Sequence, residues 1–246
     1  MTFDIKSKMK IIGVIPARYD STRFPGKPLV NINGKPMIQH VWESTKKSKL
    51  INELYVATDD KRIFDAVTGF GGNAVMTSKK HKSGSDRIGE VLKNIECGIV
   101  VNIQGDEPFI NPLNIDKSIK PLLQNKSIQV STLCTPIKQE EDIYNPNVVK
   151  AVTDKNGFAL YFSRFGIPFN RDMANNIIYY KHIGLYVYRK KYLLEFIKLK
   201  PSKLEKAEKL EQLRILESGT KIKVVITNVD SVTIDTKEDL KKIRMK

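Results

Sequence analysis

The stretch most informative about the fold is Pro16-Ala17-Arg18-Tyr19-Asp20-Ser21-Thr22-Arg23-Phe24-Pro25-Gly26-Lys27, which follows the wholly apolar run Ile11–Ile15. Such a run is typical of a strand buried in a parallel sheet. The next loop carries three cations and two hydroxyls, and open α/β sheets bind ligands at the carboxyl ends of their strands. We therefore predict a polyanion site, most readily for a nucleoside triphosphate, with a solvated basic loop as the alternative. Pro28 follows Lys27, so the loop is not a Walker A motif.

Strand and helix patterns alternate through the first half of the chain, which predicts an α/β fold with a mostly parallel sheet. The predicted strands are 11–15, 54–57, 74–76 and 99–103, and the predicted helices are 36–48, 61–70, 85–92 and 112–123. The second half predicts a hairpin over 148–162, strands at 183–188 and 221–226, and one long helix over 206–218 that ends at Gly219. The pattern changes near Gln129, so we expect a single domain over 1–246 with a subdomain at about 129–220.

Composition restricts the class of protein. The net charge is +15, from 42 Lys and Arg against 27 Asp and Glu, and it favours anionic partners. The lysines are scattered and no nucleic-acid-binding motif is evident, so a non-catalytic nucleic-acid-binding protein is the less favoured alternative. Two distant cysteines predict neither a disulfide framework nor a zinc site. The apolar run is too short for a membrane span or a signal peptide, so we expect a cytoplasmic protein without a membrane partner.

A second polar group follows the predicted strand 99–103, in Gln104-Gly105-Asp106-Glu107-Pro108. Asp106 is suited to Mg²⁺, which proteins hold with one or two carboxylates plus substrate phosphates. Gly105 allows the backbone to approach a ligand closely. Asp235 is the candidate second carboxylate. The alternative for Asp106 is an acidic turn that caps the following helix. The alternative for Asp235 is an ordinary residue before a helix cap.

Two further stretches carry polar side chains after or within predicted strands. The loop 77–87 either wraps a nucleotide base or is a surface loop. His182 and Tyr186 are four residues apart, so on a strand they share a face with Gly184. A lone histidine is more often structural than functional, and the sequence pattern leaves both interpretations open.

Together these motifs resemble the 3-deoxy-manno-octulosonate cytidylyltransferase family. They occur in the family's order and cover nearly the whole chain, and only their combination is specific. The matching stretches are 16–29, 77–87, 101–108, 161–164, 181–189, 210–214 and 235–240.

The resemblance implies a Rossmann-like, mostly parallel mixed sheet flanked by helices, with a small dimerisation and sugar-binding subdomain in a homodimer. The implied enzyme is a Mg²⁺-dependent nucleotidyltransferase that joins CTP and 3-deoxy-D-manno-octulosonate (Kdo) to give CMP-Kdo and pyrophosphate, for lipopolysaccharide biosynthesis. The chain departs from the family pattern at Asp20, Ser85, Val187 and Ser231–Ile234. Another acidic sugar, such as sialic acid or amino-Kdo, is therefore the alternative acceptor.

The resemblance also implies roles for individual residues. The expected catalytic residues are Arg18, Lys27, Asp106 and Asp235, with the two aspartates as ligands of Mg²⁺. The expected nucleotide-binding residues are Ala17, Arg18, Ser21, Lys27, Ser83, Arg87 and Asp106. The expected contacts to the acidic sugar are Arg23, Gln104, Arg164, His182, Tyr186, Glu211 and Gln212.

Overall fold

The computed structural model describes residues 9–20, 24–172, 177–231, 233–234, 236 and 238–240. In chain order the strands are β1 (Ile11–Ala17), β2 (Asn31–Ile32), β3 (Lys35–Pro36), β4 (Glu53–Thr58), β5 (Ala74–Met76), β6 (Ile99–Asn102), β7 (Val130–Pro136), β8 (Lys150–Thr153), β9 (Ala159–Ser163), β10 (Tyr180–Arg189) and β11 (Ile222–Ile226). The helices are α1 (Met37–Thr45), α2 (Lys61–Gly69), α3 (Gly84–Val91), α4 (Pro112–Gln124), α5 (Glu141–Tyr144), α6 (Lys190–Phe196), α7 (Lys203–Glu208) and α8 (Gln212–Glu217), and a 3₁₀ turn covers Lys27–Leu29.

One mixed sheet organises the described residues, with strand order β11-β7-β10-β6-β1-β4-β5. β1 pairs in parallel with both β4 and β6, β4 pairs in parallel with β5, and β11 pairs in parallel with β7. β10 runs antiparallel between β6 and β7, and the β8–β9 hairpin joins the start of β10 through β8. This is the mixed, mostly parallel α/β sheet that the sequence predicted. The predicted subdomain over 129–220 supplies β7–β10, and its status as a separate unit stays a prediction.

Helices cover both faces of the sheet, so β1 buries side chains on both sides. Ile11 and Ile15 pack into one core cluster with residues of α1, α2 and α4. Ile12 and Val14 pack into a second cluster with residues of α3, α6 and α8. All four side chains are buried, which explains why the strand reads as a continuous apolar run.

Local signals gave most element boundaries correctly. Asp60 caps α2, since its side chain accepts a hydrogen bond from the Arg62 backbone N–H at 2.9 Å. Gly71 follows that helix with φ of +80°. In the β8–β9 turn, Gly157 has φ of +72°, a conformation that the pair Asn156-Gly157 favours. Along the described part of the chain, no helix has the length and apolarity needed to cross a membrane.

The predicted single helix over 206–218 was wrong. The structure has two shorter helices, α7 and α8, separated by Lys209 in the left-handed conformation with φ of +55°. Arg164 Nε donates to the Glu208 carbonyl at 2.7 Å, and the Glu208 carboxylate accepts from the Arg164 backbone N–H at 2.9 Å. A distant strand end therefore takes up the carbonyl that a continuous helix would use internally.

A buried ammonium group fixes the loop before β8. Lys150 is fully buried, and its Nζ donates to the carbonyls of Asn145, Val148 and Arg164 at 2.8, 2.6 and 2.7 Å. Arg164 Nη1 in turn donates to the Pro146 carbonyl at 2.8 Å. Burial lowers the pKa of Lys150. Lys150 and Arg164 thus both donate hydrogen bonds to carbonyls of the loop 145–148.

Candidate active site

The carboxyl ends of β1 and β6 lie side by side because the two strands pair in parallel, with Val14 opposite Asn102. The loops that follow them meet. Lys27 Nζ lies 2.8 Å from Asp106 Oδ2, and the two side chains are 15% and 25% exposed. A Cβ atom at Gly105 would lie 3.1 Å from the Pro16 carbonyl oxygen. Glycine therefore permits the close approach of the two loops.

Of the other predicted site residues at the end of β1 and in the loop after it, the structure describes Ala17 and Arg18. Ala17 is the last residue of β1 and is buried, and Arg18 directly after it is exposed. Within the described residues, Arg18 forms no ion pair, and it directly follows β1 in the loop that also carries Lys27. The predicted contacts of Ser21 and Arg23 lie outside the described residues.

Asp235, the predicted second carboxylate, also lies outside the described residues. The Ile234 backbone N–H donates to the Asp106 carbonyl at 2.9 Å, so the chain reaches Asp106 one residue before that position. Thr236 and Asp239 form a helix-capping interaction, in which the Asp239 N–H donates to Thr236 Oγ1 at 3.2 Å. Among the described residues, no group of three or more His, Cys, Asp and Glu is arranged to hold a metal ion. The magnesium site stays a prediction.

The loop before α3 lies against the end of β1. Ser83 caps α3 in a capping box with Asp86, and a Cβ atom at Gly84 would lie 3.1 Å from the Pro16 ring. Arg87 is fully buried, and its Nη2 lies 2.6 Å from Asp59 Oδ2. Its Nη1 also donates to Thr77 Oγ1, so the guanidinium ties the start of the 77–87 loop to Asp59 after β4. The nucleotide contacts expected of Ser83 and Arg87 stay predictions.

The antiparallel strand β10 brings a different set of side chains to the same edge. Gln104 Nε2 donates to the Gly184 carbonyl at 3.2 Å. The His182 and Tyr186 rings lie 5.3 Å apart, which agrees with two side chains on one face. His182 Nε2 lies 3.0 Å from Thr132 Oγ1. The predicted sugar side is thus built around the start of β10.

The predicted sugar side carries a neutral histidine. Burial lowers the pKa of His182 to about 3, so its imidazole is uncharged near neutral pH. The positive charge that a carboxylate partner would favour is therefore absent from His182 near neutral pH, and its expected contact with the sugar stays a prediction. Burial also raises the pKa of Tyr186 well above its usual value.

Helix α8 closes this region next to α3. Glu211 accepts hydrogen bonds from Ser85 Oγ at 2.7 Å and from Arg214 Nη2 at 2.9 Å, and burial raises its pKa. Gln212 begins α8 and is buried. Arg164 directs its donors to backbone carbonyls, as described above, and its expected contact with the sugar stays a prediction.

Sequence reasoning missed one buried acid at the site. Glu107 is buried, and its carboxyl accepts a hydrogen bond from Ser231 Oγ. Burial raises the pKa of Glu107 to about 7. The sequence places Glu107 in an acidic turn beside Asp106, and no local signal distinguishes the buried carboxylate from the partly exposed one.

Comparisons with known proteins agree with this geometry. Residues 12–222 match the family model described as cytidylyltransferase. A 3-deoxy-manno-octulosonate cytidylyltransferase from Geotalea uraniireducens (strain Rf4) is 53% identical over 245 residues, covering 96% of this chain and 98% of the relative. The chain belongs to the 3-deoxy-manno-octulosonate cytidylyltransferase family. Its member from Geobacter sulfurreducens (strain ATCC 51573 / DSM 12127 / PCA) is 51% identical, with 96% and 98% of the two chains covered.

A solved structure supports the same family at the level of the fold. It is described as CMP:2-keto-3-deoxy-manno-octonic acid synthetase complexed with CTP. It superposes with a TM-score of 0.92 at 43% identity, covering 96% of this chain and 97% of that chain. The α/β nucleotidyltransferase fold of the family is therefore present along almost the whole chain.

Proposed function

We propose that this chain joins CTP and Kdo to give CMP-Kdo and pyrophosphate, for lipopolysaccharide biosynthesis. The observation that carries the proposal is the meeting of Lys27 and Asp106 after the carboxyl ends of β1 and β6, together with the exposed Arg18 directly after β1. Cations at this edge suit a triphosphate. The names of the relatives supply the nucleotide and the sugar.

The reaction requires charge neutralisation and positioning. The anomeric hydroxyl of Kdo attacks the α-phosphorus of CTP, loses its proton, and forms the new P–O bond as pyrophosphate leaves. Arg18 and Lys27 hold the triphosphate and offset the charge that builds on the leaving group. Removing one such electrostatic group typically costs on the order of 10²–10³ in rate.

The donor chemistry at Asp106 fits Mg²⁺. Its carboxylate is a hard oxygen donor, is partly exposed, and already has a cationic partner in Lys27. Proteins hold Mg²⁺ with one or two carboxylates plus substrate phosphates, so a cluster of three protein ligands is not required. We assign Asp106 and Asp235 as the ligands, supported by the bond from Ile234 to the Asp106 carbonyl. When bound, the ion neutralises phosphate charge and lowers the pKa of the sugar hydroxyl.

The sugar lies, in this proposal, between the start of β10 and the start of α8. His182 and Tyr186 form one wall, Gln104 bridges to the nucleotide side, and Glu211 and Gln212 close the other wall. Hydroxyl and amide groups suit a polyhydroxylated acid, with the neutral His182 available as a hydrogen-bond partner. Sialic acid and amino-Kdo are the alternative acceptors.

We also propose a homodimer, formed through an exposed apolar surface on residues 137–172 and 177–179. A cavity of about 390 Å³ there is lined in part by Ile137, Ile143 and Ile178. Phe165 is 78% exposed. It lies near this cavity, because the next residue, Gly166, packs against Ile143. Clustered exposed apolar side chains mark protein–protein contacts.

Sedimentation analysis tests the homodimer. Phe165→Asp should yield monomers, while the control Leu113→Asp, on the exposed face of α4, should leave a dimer. A monomeric wild-type protein, or a dimer in both variants, would contradict this assignment. Because its nucleotide substrate belongs to the cytoplasm, we place the enzyme in that compartment.

A direct assay tests the activity. Purified protein, CTP, MgCl₂ and Kdo should release pyrophosphate and form CMP-Kdo in equal amounts. Reactions with ATP or UTP, and with sialic acid or amino-Kdo, measure nucleotide and sugar preference. No pyrophosphate release from folded protein with any of these sugars would reject the proposal, and faster release with another sugar would reassign the acceptor.

A further inference from the structure

The loop between Arg18 and Lys27 is closed at a narrow neck. The Gly26 backbone N–H donates to the Tyr19 carbonyl at 2.9 Å. Gly26 has φ of +70°, and a Cβ atom there would lie 3.2 Å from the Tyr19 ring. Tyr19 also packs against the core cluster beneath the sheet edge. Both cations assigned to the triphosphate therefore flank one hydrogen-bonded pair.

Arg62 covers the ring of Tyr19. The guanidinium carbon Cζ lies 3.3 Å from the ring centroid, the separation of a stacked pair. Asp60 holds the guanidinium from the side, with Nε 2.9 Å from Oδ1 and Nη2 2.7 Å from Oδ2. A planar guanidinium can accept this two-point pairing along one edge and still stack with one face, which an ammonium cannot do.

The sheet topology explains why these groups meet. β4 pairs in parallel with β1, and Thr58 lies opposite Ala17 at the ends of the two strands. Asp60 and Arg62 follow β4 by two and four residues, so they begin α2 at the edge where the β1 loop begins. Asp60 is also the N-cap of α2, which fixes the guanidinium to a rigid helix start.

We propose that Arg62 and Tyr19 are positioning residues for CTP, acting through the neck of the loop that carries Arg18 and Lys27. This inference rests on the proposed function. Arg62 is committed to Asp60 along its edge and to Tyr19 on its face, so its effect reaches the nucleotide through Tyr19. Loss of the stack leaves Arg18 and Lys27 in the chain but less well oriented, which weakens binding of the triphosphate before any chemical step.

The expected signature is a separation of KM from kcat. Arg62→Ala and Tyr19→Leu should each raise the KM for CTP about two- to fivefold, the range that an exposed cation–π contact supports. The kcat and the KM for Kdo should stay within about twofold, because bound CTP reorders Arg18 and Lys27. The cost of that reordering then falls on CTP binding, before the step in which the two cations offset the leaving-group charge. Tyr19→Phe should restore wild-type affinity since it keeps the ring, and Arg62→Lys should not, since an ammonium lacks the flat face.

Lys61→Ala is the matched control. Lys61 also begins α2 and carries one positive charge, but it pairs with Asp65 and does not contact Tyr19. It should leave the KM for CTP unchanged. An Arg62→Ala effect no larger than that of Lys61→Ala would show a general charge effect and overturn the inference.

Calorimetric titration of CTP into the protein without Kdo gives a readout that does not depend on turnover. Wild-type protein that fails to bind CTP would refute the proposed function itself. Wild-type protein that binds CTP while Arg62→Ala binds equally well would refute only the positioning role. The double variant Arg62→Ala/Tyr19→Leu should bind no worse than either single variant, and additive losses would show that Arg62 acts independently of Tyr19.

Discussion

Replacing Glu107 with Gln should change how stability depends on pH. The carboxyl is buried and its pKa in the folded protein is raised, chiefly by burial, from 4.5 to about 7. The folded form therefore binds this proton more tightly than the unfolded chain does. The stabilisation is complete below pH 4.5 and is lost as the pH rises to about 7. At about 1.4 kcal/mol per pH unit, the loss amounts to about 3 kcal/mol.

His182 titrates in the opposite sense. Burial lowers its pKa from 6.5 to about 3, so its stabilisation is present above pH 6.5 and is lost as the pH falls towards 3. Between pH 4.5 and 6.5 the two groups oppose each other, each with a slope of about 1.4 kcal/mol per pH unit. These two contributions cancel in the wild-type protein. In Glu107→Gln the free energy of unfolding should rise by about 1.4 kcal/mol per pH unit across this window.

Urea unfolding in EDTA, at half-unit steps from pH 4.5 to 8, measures both curves. The difference in free energy of unfolding between the Gln variant and wild type should be up to about 3 kcal/mol more favourable to the variant above pH 7 than at acid pH. The reason is that the variant carries no buried charge at this position. Glu96→Gln, at an exposed position, is the control and should follow the wild-type curve. Parallel curves for wild type and Glu107→Gln would refute the reasoning, since they would show that Glu107 does not titrate differently on folding.

Three further changes test other parts of the structure. Asp106→Asn should lower kcat on the order of 10²–10³, while the loss of a partly exposed ion pair costs only about 1 kcal/mol of stability; near-normal turnover would remove the assigned metal ligand. Lys150→Met should lower the free energy of unfolding by about 3 kcal/mol, measured in urea, because three carbonyls lose their donor; an unchanged midpoint would contradict this. Gly105→Ala should weaken CTP binding in calorimetry by displacing the Pro16 carbonyl, and unchanged affinity would show that the loops tolerate a Cβ.

The sheet could be predicted from sequence because its signals are local. The apolar run of β1, the Asp60 cap and the Gly71 stop each act within a few residues. Parallel pairing of β1 and β6 then brings their carboxyl ends together whatever the side chains are. The contact between Lys27 and Asp106, 79 residues apart, follows from that topology and from the position of each residue after its strand.

The break between α7 and α8 could not be predicted in this way. Leu210, Leu213 and Leu216 lie at helical spacing, and no Gly or Pro separates them from residues 203–208, so the local pattern favours one helix. The carbonyl of Glu208 instead pairs with Arg164, whose position depends on β9 and on the buried Lys150. The contact that ends α7 therefore requires β8, β9 and α7 to be folded together. The sequence of α7 alone carries no signal for it.

The break between α7 and α8 also explains why local sequence signals predict the two halves of the proposed site unequally. The proposed nucleotide side depends on strand ends and short loops, whose positions local sequence signals predict. The proposed sugar side depends on where α8 starts, and therefore on the contact of Arg164 with the end of α7. If Arg164 acts by placing Glu211 and Gln212, Arg164→Ala should raise the KM for Kdo while leaving CTP binding intact. Arg164→Lys should then restore little, because one ammonium cannot reach the separate carbonyls that the guanidinium now bridges.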